Sequence, residues 1–130
     1  LLKFIRYSPQ IQILLRVLRK ERVVLLSVMT ITVFCILLTA IIMFNIEPRS
    51  NPATGAPTFE TFFDALYWST ETLTSVGYGD VCPVTDFGRF ISMISSLFSV
   101  VLIALPSGVI TASYLDELRR HRERLKNKEN

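Results

Sequence analysis

Thr74-Ser75-Val76-Gly77-Tyr78-Gly79-Asp80 is the stretch that decides how this chain is read. Glycine enters left-handed backbone without a Cβ penalty, so Gly77 and Gly79 let successive carbonyls point one way, where a strand would alternate them. The expected product is a column of backbone oxygens. Bare carbonyls at membrane depth persist only when buried in protein or lining a polar cavity, so such a column has a use when several copies face one another.

Working outward, the stretch lies between two runs that carry no charge, 22 residues from Val23 to Phe44 and 26 from Phe90 to Leu115. As helices they reach about 33 and 39 Å at 1.5 Å per residue, against a hydrocarbon core of about 30 Å. The remaining chain is too short and too polar to wrap two such helices on all sides. Half of the 130 residues are hydrophobic. The expected class is an all-α membrane protein with two spans.

Charge gives the orientation. Of 14 Lys and Arg, six (Lys3, Arg6, Arg16, Arg19, Lys20, Arg22) precede the first span and six (Arg119, Arg120, Arg122, Arg124, Lys126, Lys128) follow the second. By the positive-inside rule both termini are expected in the cytoplasm of a cell-membrane protein. Between the spans Glu47, Glu60, Asp64, Glu71, Asp80 and Asp86 outnumber Arg49 and Arg89, which would concentrate cations on the outer side. The basic total therefore reports topology and attraction to anionic lipid, with no motif for reading nucleic acid. Cys35 and Cys82 lie in different environments and read as small apolar fillers.

Ser8-Pro9 offers a cap and a first-turn proline, and Ile11, Leu14, Leu15 and Leu18 recur opposite Arg16, Arg19 and Lys20. This predicts an amphipathic helix on the inner membrane surface. Pro48, Asn51, Pro52, Gly55 and Pro57 predict an outer loop. Thr61 and Asp64 fit a capping pair opening a helix to about Thr74, too short to cross a bilayer. Its C-terminal end, with partial negative charge, would aim at the membrane centre and favour a cation there. Asp116 and Arg120 predict an i,i+4 pair in a charged continuation of the second span, most of it a solvated face.

Thr74 to Asp80 resembles the selectivity filter of potassium channels, in which rings of carbonyls replace the ion's water shell. The whole chain is similar to the pore half of a prokaryotic voltage-gated-type member. Residues 1–22 resemble the end of its sensor helix and cytoplasmic linker helix, 23–44 the outer helix, 45–60 the turret, 61–74 the pore helix and 75–80 the filter. Residues 90–115 resemble the inner helix and 116–130 its cytoplasmic tail, all within one domain. The resemblance implies a homotetramer around a central potassium path, closed by rotation because each chain supplies one filter strand. Potassium would be the permeating ligand, with no cofactor. It also implies that the first three sensor helices and most of the fourth lie outside these residues.

The resemblance places the ion-binding carbonyls at Ser75, Val76, Gly77 and Tyr78, with Gly79 completing the filter and the Ser75 hydroxyl adding a ring at the inner end. Thr74 supports the filter from below. The family usually has threonine at 75, so the inner site is expected to be looser. Tyr67 and Trp68 fall where an aromatic cuff packs on the filter, with Tyr78 leaning into it. Glu71 and Asp80 resemble the carboxyl pair behind the filter of small proton-activated bacterial channels, where close carboxyls tend to share a proton and would tune inactivation. Pro106-Ser107-Gly108 resembles the bend of the inner helix, with glycine where a second proline is usual and Ser99 where a hinge glycine is usual. Proline at 106 removes a helical hydrogen bond, so a kink is expected.

An intramembrane hydrolase would need a nucleophile with His or paired Asp in the spans, but the spans hold no charge and His121 lies in the tail, so no enzyme is expected. The rival from another class is a non-conducting assembly or regulatory subunit.

Overall fold

The computed structural model describes residues 9–129, and side chains from 11 to 127. The expectations for Leu1 to Tyr7 and for a Ser8 cap fall outside the described residues. Among the described residues four helices follow in order: α1 Pro9–Lys20, α2 Arg22–Ile46, α3 Phe62–Leu73 and α4 Asp86–Glu129. Among the described residues the only β pairing is an isolated bridge, Ser50 with Pro57, inside the predicted outer loop.

α2 and α4 are long and apolar enough to cross a membrane. Large apolar side chains stand exposed along both, among them Phe34 at 64% and Leu97 at 72%. A soluble helical fold would bury such a surface. α4 begins four residues earlier than the predicted inner helix, at Asp86 instead of Phe90, because Thr85 caps it by accepting from the Gly88 N–H at 3.0 Å. The helix runs unbroken through Pro106 and onward through the charged tail.

α3 forms for the reason the sequence gives. The Thr61 side chain accepts from the Asp64 N–H while the Asp64 carboxyl accepts from the Thr61 N–H, a complete capping box. Thr74 caps the other end, its N–H bonded to the Thr70 carbonyl at 2.9 Å.

The chain forms two compact units. One is Met29–Ile103, and its core is Ala40, Met43, Phe59, Ala65 and Trp68, with Phe44, Leu66, Val81 and Ile91 packed against it. Phe59 meets Trp68 edge to face at 5.9 Å. Burying side chains such as Met43 and Phe59 contributes about 1.5–3 kcal/mol each. Phe59 thereby ties the outer loop to α3.

The other unit holds the described parts of 1–28 and 104–130. Here Ile13 and Val17 are the buried positions of α1, while Ile11, Leu14 and Leu15 stay substantially exposed. The helix expected from sequence thus also has partners within its own unit. α1 is tied to the end of α4 by Arg16 Nη1 donating to Glu117 Oε1 at 2.7 Å, and the loop residue Glu21 accepts from the Ser113 hydroxyl at 2.8 Å. The Asp116–Arg120 pair forms at 3.2 Å as expected, but Glu117 beside it is largely covered, so the tail is not a uniformly solvated face.

Candidate functional site

Four consecutive backbone amides after α3 donate in the same direction. Ser75 N–H bonds to the Thr72 carbonyl at 3.1 Å, and Val76 and Gly77 N–H both bond to the Glu71 carbonyl at 2.9 and 3.2 Å. Tyr78 N–H bonds to the Glu71 carboxyl at 3.2 Å. No peptide here is cis, so each carbonyl lies opposite the N–H of the next residue. The carbonyls of Ser75, Val76 and Gly77 therefore point away from α3.

The backbone that permits this alternates in handedness. Ser75, Gly77 and Gly79 have φ of 60°, 59° and 77°, while Val76 and Tyr78 between them do not have positive φ. The glycine positions were expected from sequence. Ser75 was not, because a non-glycine residue at positive φ leaves no mark in the sequence and costs of order 1–3 kcal/mol.

The amides that follow α3 also consume its end. The Thr70, Glu71 and Thr72 carbonyls, orphaned by helix termination, accept from residues 74–77. The partial negative charge expected to favour a cation thus first orients the segment that follows α3. The Thr74 hydroxyl adds a bond to the Thr70 carbonyl at 2.6 Å.

Glu71 and Asp80 have separate donors. Glu71 takes the Tyr78 amide, and Asp80 takes the Tyr67 hydroxyl at 3.1 Å. Tyr67 accordingly reaches Asp80 by a hydrogen bond, whereas Trp68 is buried on Phe59 and shares a cavity with Ser75 and Gly77. Tyr78 is 73% exposed within the single chain. That cavity, of about 440 Å³, is bordered by Trp68, Glu71, Ser75, Ser92, Ser96 and Ser99. At the far end of the strand, Cys82 Sγ donates to the Gly79 carbonyl at 3.4 Å, a polar contact its reading as an apolar filler missed.

Ser99 is 2% exposed, and its hydroxyl lies 3.3 Å from that of Ser75. Pro106, Ser107 and Gly108 belong to the other unit. There the Ser107 carbonyl accepts from the Thr111 hydroxyl at 2.8 Å, and nothing lies within 4 Å of where a Cβ on Gly108 would stand. Glycine at 108 is therefore not demanded by close packing.

Sequence reasoning counted Glu47 only as an outer acid. Its carboxyl is 4% exposed and accepts from the Val84 amide at 2.9 Å, the Thr85 amide at 3.2 Å and the Thr85 hydroxyl. The residue just after α2 thus holds the two residues that lead into α4. A lone Glu before a proline-rich loop gives no signal for a partner 38 residues away.

Two apolar helices of spanning length, with a short helix between them that leads into a one-sided row of carbonyls, mark an all-α membrane protein. The chain belongs to the ion transport protein family, which it matches over residues 1–122. It is 35% identical over 120 residues to a provisionally named potassium channel protein of Rhodopseudomonas palustris, covering 92% of this chain and 28% of that one. It is 36% identical over 93 residues to the hyperpolarization-activated voltage-gated potassium channel of Methanocaldococcus jannaschii, covering 72% and 39%. With human potassium voltage-gated channel subfamily KQT member 3 it shares 42% over 67 residues, covering 51% and 8%. The chain spans well under half the length of these relatives. Membership of a transport family agrees with the absence of an enzyme site in the sequence reading.

Proposed function

We propose that this chain is the pore module of a potassium-selective channel, in which four copies place their 75–79 strands around one axis. The observation that carries the reading is the set of amides at 75–78 bonded back to α3, because it directs the carbonyls of Ser75, Val76 and Gly77 to the opposite side. A ring of such oxygens from several chains replaces the hydration shell of potassium. The names of the relatives support potassium as the ion.

In this reading α2 is the outer helix, α3 the pore helix and α4 the inner helix, with both termini cytoplasmic. Closure of a single interface by rotation gives a cyclic homotetramer, and the exposed apolar faces of α2 and α4 meet lipid and neighbouring copies. Arg19, Lys20 and Arg22 beside the start of α2 suit anionic headgroups of the inner leaflet.

The purified chain reconstituted in planar bilayers, with unequal potassium and sodium across the membrane, tests this. A single-channel reversal potential near the potassium equilibrium value is expected. A value near zero would refute selectivity, and electrical silence would favour the non-conducting subunit.

A further inference from the structure

The two positions at which this chain departs from the resembled pattern around the filter, Ser75 and Ser99, touch each other. The Ser99 hydroxyl donates to the Ser96 carbonyl at 2.7 Å, which commits its single hydrogen. In the 3.3 Å contact between the two hydroxyls, Ser99 is then the acceptor and Ser75 the donor. The result is a one-way chain, from the Ser75 O–H to the Ser99 O–H to a backbone carbonyl of α4.

We propose that Ser99 is a positioning residue for the inner end of the filter, setting the polarity of the Ser75 hydroxyl. This rests on the potassium-pore reading and deepens it. A hydroxyl binds a cation through its lone pairs, and a rotating hydroxyl spends part of its time presenting hydrogen. With its hydrogen drawn toward α4, Ser75 presents only lone pairs elsewhere. The smaller serine at 75, with φ of 60°, also avoids the added strain a β-branched residue would carry there. Ser99 is buried and offers its acceptor lone pairs to no hydroxyl but that of Ser75 among the described residues. At 3.3 Å the contact is longer than the common hydroxyl spacing of about 2.8 Å, so a small shift of α4 at this level would break it and free the Ser75 rotor.

The test reads potassium binding directly, without requiring conduction. The thermal unfolding midpoint of the purified full chain in detergent is titrated with potassium at constant total ionic strength, sodium replacing it. A ligand that binds the folded form raises the midpoint as its concentration rises. Ser99→Ala is expected to raise the potassium concentration giving half the effect by about three- to tenfold, the size of a lost neutral hydrogen bond. Ser99→Thr, which retains the hydroxyl, should restore it. Combining Ser99→Ala with Ser75→Ala should do no more than Ser75→Ala alone, because the hydroxyl being positioned is gone. Ser99→Gly carries the same comparison should Ser99→Ala not fold.

A wild-type potassium requirement in Ser99→Ala, or an equal effect in the Ser75→Ala background, would overturn the positioning role alone. A wild-type chain whose unfolding ignores potassium, and which passes no potassium-selective current, would overturn the pore reading and this inference with it.

Discussion

Glu71 acts twice at one position, its carbonyl taking the Val76 and Gly77 amides and its carboxyl that of Tyr78. Removing the carboxyl leaves the Tyr78 amide without that acceptor, at a cost of about 1–3 kcal/mol if water does not replace it. Glu71→Ala should therefore lower the unfolding temperature and change the decay of current after opening, measured by calorimetry and by voltage steps on reconstituted channels. An unchanged decay would reduce Glu71 to a structural anchor. Gly77→Ala tests the backbone instead. At φ of 59° a Cβ meets no neighbouring atom, so the penalty is conformational, about 1–2 kcal/mol, and falls on the carbonyl direction. Its expected outcome is a reversal potential displaced from the potassium value toward zero. At this scale the glycines were legible because only glycine adopts that backbone freely. The Ser75 conformation and the double use of Glu71 were not, since each depends on how the residues after α3 fold back on its last turn.

Helix identity was readable from local chemistry, though the start of α4 at Asp86 was not. The charge-free runs became α2 and α4, and Thr61 with Asp64 became a capping box. What connects the elements was not readable, as the Glu47 clamp on the start of α4 illustrates. A Cβ on Gly88 would fall inside the Glu47 carboxyl, with Cδ 2.8 Å away and Pro83 Cβ at 3.1 Å. That carboxyl is held by Val84 and Thr85, so it cannot move aside without losing those bonds. Gly88→Ala and Glu47→Ala should each destabilise by about 1–3 kcal/mol, and the double substitution by less than their sum, because removing the carboxyl removes the clash. Thermal melts of the three variants decide it. The α1 clasp is likewise long-range. The Arg16 hydrogen bond holds the Glu117 carboxyl below its ordinary value of 4.5. A lowered folded-state value means the contribution is present above the unfolded value and is lost as pH falls through the folded one. Thermal stability should thus drop on acidification below about pH 4.5 more steeply in wild type than in Glu117→Gln. Arg16 is more than half exposed, so added salt should shrink the difference.

For the whole molecule, the distribution of charge sets how the pore can respond to the membrane field. Moving one elementary charge through the full field contributes about 2.3 kcal/mol per 100 mV, and steep gating requires several such charges in each subunit. The runs 23–44 and 90–115 contain no charged residue, and the six basic residues after them stand in the tail beyond Leu115. Ahead of the first run, Arg16, Arg19 and Lys20 in α1 and Arg22 at the start of α2 stand outside it too, the first of them paired with Glu117. A rearrangement of α4 would therefore carry little charge across the hydrocarbon core, whatever its extent. Single-channel recordings of this 130-residue chain should accordingly show open probability varying only shallowly with voltage. A slope corresponding to several elementary charges per chain would mean that charges at the membrane surfaces enter the field during opening, with the basic start of α2 the first place to neutralise. The same recordings separate selectivity from gating, because the reversal potential reports the carbonyl strand while the slope reports the helices that carry it.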